Sequence, residues 1–147
     1  MTGVQTCALP IYTIECWMYL TTTPASETAL ACFGPATAGA ANRGWAIEVH
    51  NGTSTGIWFY QSGVVTSYTS LGSLPSANTW AHIAIVRNST VVTGYINGVS
   101  GGTTSVGTST QTAFNAGDIP LIGAYYISTG NNTRFYFPGY KIGRAHV

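Results

Sequence analysis

From Tyr12 onward, apolar residues fall at every second position in short runs separated by clusters of Gly, Pro, Asn and Ser. A period of two marks strands with one buried and one wet face. In "YTIECWMYL", Ile14, Cys16, Met18 and Leu20 alternate with Thr13, Glu15, Trp17 and Tyr19, and Pro24 ends the run. "TALACF", "GWAIEVH", "GIWFYQ" and "VVTSYTS" follow as further strands. "WAHIAIVRNSTVVTGYINGV" reads as a hairpin whose arms, 80–87 and 90–96, flank a turn at Asn88 and Ser89. It ends on Asn97 and Gly98, a pair that tolerates the positive φ of tight hairpin turns. "SGGTTSVGTSTQT" reads as a low-complexity loop with one short edge strand, and "DIPLIGAYY" and "TRFYFPGYK" as the last two strands. No window has helical periodicity, so the chain is expected to be all-β, an antiparallel sandwich of two sheets.

The two ends break this pattern. Residues 142–147 can be encoded ATC GGA AGA GCA CAC GTx, and the reverse complement of that word translates as Thr-Cys-Ala-Leu-Pro-Ile, the sequence of residues 6–11. Two protein ends have no physical reason to share one DNA word on opposite strands, whereas a ligated adapter produces this automatically, and the word resembles a common short-read sequencing adapter. Residues 1–11 and 142–147 are therefore expected to be adapter-derived and are set aside. The domain is expected over residues 12–141, cut at both ends, as part of a longer parent chain with other domains. Residues 142–147 are expected to be irregular or weakly paired.

Between those limits Arg43, Arg87, Arg134 and Lys141 balance Glu15, Glu27, Glu48 and Asp118, so the net charge is zero. A neutral chain has no electrostatic footprint for nucleic acid or anionic membranes. No apolar run approaches a bilayer span, so membrane insertion is not expected either. Cys16 and Cys32 flank "TTTPASET" and should lie near each other across a hairpin; a disulfide and two buried free thiols both fit, the thiols more simply.

"YTIECWMY", "WAHIAIVRN", "GYINGV", "PLIGAYY" and "FYFPGY" occur in the order and spacing of concanavalin A-like, laminin-G-like jelly rolls, and the chain resembles that superfamily from Tyr12 to Tyr140. The resemblance implies a jelly-roll sandwich. Similar members have a further strand before "YTIECW" and a last strand after "FPGY", so the chain is expected to lack terminal strands and to leave sheet edges unpaired.

The superfamily's β-glucan-cleaving enzymes carry a Glu-x-Asp-x-x-Glu strand that places two carboxylates on one face. Nothing similar occurs here, and the four acids are isolated in sequence, so no catalytic residues are expected. His50, His82 and the cysteines show no metal-ligand spacing, and one Asp near a loop is too little for calcium, so neither metal nor cofactor is expected. His82 and Glu15 read as packed or hydrogen-bonded strand residues.

What remains is binding. Nine tyrosines and four tryptophans exceed the evident needs of the core, and sugar rings are held by aromatic faces with a few polar groups matching hydroxyls. Tyr125 and Tyr126, followed by "ISTGNN" with Asn131 and Asn132, form the best such loop; Tyr68, Trp58 and Tyr60 come next. The expected function is a noncatalytic module of an extracellular or virion-surface protein that binds a glycan or cell-surface polysaccharide. The alternative is a structural or protein-interaction module, such as a tail-fibre decoration.

Overall fold

A computed structural model describes residues 11–25, 27–33, 44–51, 55–65, 69–109, 120–124, 126–128, 131–134 and 136–146, with 120, 126–128, 131–134 and 142–146 described by backbone alone. The described residues form an all-β sandwich. One sheet orders its strands β12-β1-β6-β7-β8, the other β5-β4-β3-β2-β9, and every pairing is antiparallel. The first sheet comprises β1 (Ile11–Leu20), β6 (Trp80–Asn88), β7 (Val91–Ile96), β8 (Val99–Ser105) and β12 (Gly139–His146). The second comprises β2 (Thr28–Phe33), β3 (Trp45–His50), β4 (Gly56–Gln61), β5 (Thr69–Gly72) and β9 (Pro120–Ile122). A separate two-stranded piece pairs β10 (Tyr126–Ser128) with β11 (Asn131–Arg134).

The alternation read from the sequence decides which residues meet between the sheets. Met18 and Leu20 of β1 are buried, with Ile14 and Cys16 packed against the same cluster, while Trp17 on the other face is exposed. Ile83 and Ile85 of β6 join them from the same sheet. Ile47 and Val49 of β3 and Ile57 and Phe59 of β4 close the core from the facing sheet. In β2 the register shifts between Ala29 and Ala31, so that Leu30 enters the core while Ala29 and Cys32 join a smaller apolar cluster with Ala46 and Leu121.

One end of the sandwich is closed by polar groups. Arg87 of β6 is 1% exposed, and its guanidinium donates to the carbonyls of Ser89 and Ser109 at 3.1 and 2.5 Å. The Tyr12 hydroxyl donates to Gln61 Oε1 across the two sheets, and burial pushes the phenol up to about 12 even beside Arg87. Arg87, which sequence reading counts only in the net charge, is thus a structural tie for the β6–β7 and post-β8 turns.

Three expectations are corrected. The first is the Gly/Ser/Thr stretch, where 99–105 form a full edge strand rather than mostly loop. The turn that starts it has Asn97 and Gly98 both at positive φ, 52° and 78°. The glycines then let the facing sheet come close: a Cβ on Gly101 would lie 2.1 Å from the Leu71 carbonyl oxygen, and one on Gly94 2.4 Å from Leu71 Cβ. The second is the cysteine pair. β1 and β2 lie in different sheets, so the segment between them is a crossover rather than a hairpin, while the simpler of the two redox expectations holds and Cys16 and Cys32 are both free thiols.

The third is the C-terminal segment, where residues 142–146, expected to be irregular, continue β12 and pair with β1 from Trp17↔Ile142 to Thr13↔His146. Backbone groups make the ladder, so a strand lane beside β1 accepts a segment largely regardless of its side chains. β1 is consequently paired on both edges, and the unpaired edge expected beside it is absent among the described residues.

Gly101→Val should cost about 1–3 kcal/mol in urea unfolding, because its side chain has no space against Leu71; an unchanged midpoint would show that the sheets do not approach here. Burial pushes the thiols of Cys16 and Cys32 up to about 11 and about 12. Neither should react with a thiol reagent at pH 8 in the folded protein, and both should react in denaturant; rapid labelling of the native chain at either position contradicts the placement.

Candidate functional site

The parity that puts Ile47, Val49, Ile57 and Phe59 into the core turns Ala46, Glu48, His50, Trp58 and Tyr60 to the opposite face of the second sheet. Glu48 lies between Ala29 of β2 and Trp58 of β4 in the ladder, and Trp58 in turn lies opposite Ser70 of the edge strand β5. His50 pairs with Gly56, which has no side chain to stand beside the imidazole. The Trp58 indole stacks diagonally on His50, with centroids 5.4 Å apart and planes 26° apart.

Glu48 is 0% exposed and shares a 2.7 Å hydrogen bond with His50 Nε2. The other ring nitrogen, Nδ1, lies 3.9 Å from Glu27 Oε1, and the Glu27 side chain is 55% exposed. Asn51 positions this loop carboxylate: at the end of β3 its amide donates to the Pro24 carbonyl at 2.7 Å and so holds the β1–β2 connection against the sheet. An imidazole thus sits between a buried carboxylate beneath it and an exposed one at the rim, with an indole against its face.

The three groups place donor atoms within 4.8 Å of one another. Sequence spacing does not show this grouping, because Glu27 arrives from another segment. One imidazole and two carboxylates are a donor set that could hold a divalent transition-metal ion, though such an ion would have to replace the Glu48–His50 hydrogen bond. Catalysis by the two carboxylates is disfavoured by the same geometry. A glycosidase pair needs the scissile bond between its carboxyls, and here the His50 ring fills that space and Glu48 is closed to solvent.

The residues expected to bind fall differently. Tyr125 and Tyr68 lie outside the described residues. Tyr126, Asn131 and Asn132 have a described backbone, and the expected loop is in fact the β10–β11 hairpin, with Tyr126 opposite Arg134 and Ser128 opposite Asn131; their side chains lie outside the description. Of the second choices, Trp58 is half-buried on the face with His50, and Tyr60 is buried on the same face. The group that sequence reasoning missed is Glu48 with His50. Its signal was present in "WAIEVH", where a period of two sets both on one face, opposite Trp58 of the next strand.

A laminin G family model described as the concanavalin A-like lectin/glucanases superfamily matches residues 5–141. Among solved structures, the carbohydrate-binding module CBM40 of the Ruminococcus gnavus IT-sialidase, bound to α2,3-sialyllactose, superposes with a TM-score of 0.59 at 16% identity. That match covers 94% of this chain and 72% of the module. The leech intramolecular trans-sialidase, complexed with 2,7-anhydro-Neu5Ac, gives a TM-score of 0.56 at 18% identity over 94% of this chain and 20% of its own. No curated protein matches the chain by sequence.

His50→Ala should lower stability by roughly 1.5–3 kcal/mol, because it removes a hydrogen bond to a fully buried carboxylate. A change under about 0.5 kcal/mol, the size of an ordinary surface substitution, would mean that the pair does not hold this face together.

Proposed function

The chain belongs to the concanavalin A-like lectin/glucanase superfamily, and on that footing we propose that it is a noncatalytic carbohydrate-binding module that receives its ligand at the outward face of the second sheet. The observation that carries this reading is the half-buried Trp58 indole, stacked on His50 and opposite Ser70, with the exposed Glu27 carboxylate 3.9 Å from His50 Nδ1. An aromatic face with a few fixed polar groups at its rim suits a sugar ring, whose C–H face packs on the indole while its hydroxyls meet the exposed Glu27 carboxylate and Ser70. The CBM40 relative, of similar fold, is a module bound to a sialyl sugar, which supports glycan as the ligand class.

In this reading Tyr68, Tyr125, Tyr126, Asn131 and Asn132 remain candidates for further ligand contacts. The His50 ring between the two carboxylates supports binding over hydrolysis. Such a module serves a longer parent protein on the extracellular or virion surface, where cell-surface polysaccharides are met. We read residues 12–141 as the module and residues 142–147 as adapter translation.

Glycan-array screening of the chain should give specific binding that Trp58→Ala weakens roughly tenfold, about 1.4 kcal/mol, and that Tyr126→Ala also weakens. Binding indifferent to Trp58→Ala would remove the site from this face, and no binding to any glycan would favour a structural or protein-interaction module.

A further inference from the structure

The outward face of the first sheet carries aromatic residues that the fold does not use internally. In β1 the core parity turns Thr13, Glu15, Trp17 and Tyr19 outward. Tyr19 lies between Trp80 of β6 and Tyr140 of β12 in the ladder, and Trp17 lies opposite His82. Tyr19 sits 5.5 Å from Trp80 and 5.9 Å from Tyr140 between ring centroids, and Trp17 5.1 Å from His82. The rings therefore form one strip across three strands. It is open to solvent, with Trp17 47%, Trp80 45% and Tyr140 64% exposed. Contiguous exposed aromatics on a soluble fold mark an interaction surface.

We infer that this strip is a second glycan-binding surface, which takes an extended, uncharged polysaccharide chain laid across β12, β1 and β6. Three features favour a sugar chain over a protein. The rings are tilted by 50° to 58° to one another, so the strip offers both faces and edges rather than one smooth apolar patch. Glu15 and His82 sit among them as a partly exposed pair, with Nε2 3.4 Å from Oε2. The core of a protein interface is depleted of charged residues, and drying such a pair is costly, whereas a hydroxylated chain can hydrogen-bond to both partners. The surface is also the open face of a sheet, which suits the side of a polymer better than a single terminal sugar.

The charge class follows from the same pair. Its carboxylate, Glu15, already faces His82 Nε2, and no lysine or arginine side chain is described on the strip, so nothing there selects an anionic sugar. His82 is fixed for this role from beneath: its backbone N–H donates to Asn97 Oδ1 at 2.8 Å, and the Asn97 N–H returns to the His82 carbonyl at 2.8 Å. The strip lies on the opposite sheet from Trp58 and does not depend on the binding proposed there.

The test is affinity electrophoresis of the full chain through gels containing soluble neutral polysaccharides, namely a β-glucan, a xylan and a mannan. The chain should be retarded by at least one, and Trp17→Ala/Trp80→Ala should weaken that retardation at least tenfold. Tyr140→Ala, at the most exposed ring of the strip, should weaken it several-fold and serves if the double variant fails to fold. Retardation that survives all these changes but is lost in Trp58→Ala assigns the binding to the other sheet and overturns the inference. Absence of retardation in every gel overturns it as well. So does sedimentation showing a dimer that the double variant dissolves while retardation is unaltered, since the strip is then a contact between copies.

Discussion

The constraint on which the rest depends is the alternation of side chains along strands whose inner faces must be buried together. Ile47, Val49, Ile57 and Phe59 can reach Met18, Ile83 and Ile85 only if their neighbours in sequence point away. A slip of one residue in β3 would exchange Glu48 for Val49 in the core, an uncompensated carboxylate in an apolar layer. Core formation thus fixes, with no further instruction, that Glu48, His50 and Trp58 share an outer face. The same rule sets Trp17, Tyr19, Trp80 and Tyr140 on the other.

The polar groups follow from that arrangement. A residue set outward on a sheet still loses water where chain or ring lies over it, and Glu48 meets this with His50, which is itself covered by Trp58. Arg87 has the inward parity of Ile83 and Ile85, yet it stands at the end of the strand, where turn carbonyls and Tyr12 replace the water it loses. In both places burial is tolerated because partners are supplied by a neighbouring strand or turn. The consequence is a rigid face whose accessible aromatic, Trp58, is held by ring stacking rather than left to rotate.

Strand positions and facing were largely legible, because β1, β3, β4, β6 and β7 keep a strict period of two and the turn at Asn88 and Ser89 joins β6 to β7 as read. β8 was not, since composition marks Gly-Gly-Thr-Thr as loop while the determining fact is the approach of Leu71 from the other sheet. The Cys16–Cys32 relation and the Glu27–His50 contact were hidden for one reason: both depend on where the β1–β2 connection crosses between sheets. The pairing of residues 142–146 was missed because composition says nothing of a vacant backbone lane. Of the residues at the proposed site, Trp58 was legible as an aromatic candidate. Its company of Glu48 and His50 needed the register of β3 on β4.

The central claim is that ligand meets the outward face of the second sheet. It is tested most directly by recording amide and indole NMR shifts of the labelled chain while a bound oligosaccharide is titrated in. The account predicts that the largest shifts fall on the Trp58 indole and on the amides of Glu48, His50 and Ser70, with Ile83 and Ile85 in the core unmoved. Shifts that leave Trp58, Glu48 and His50 in place while moving another surface would contradict it.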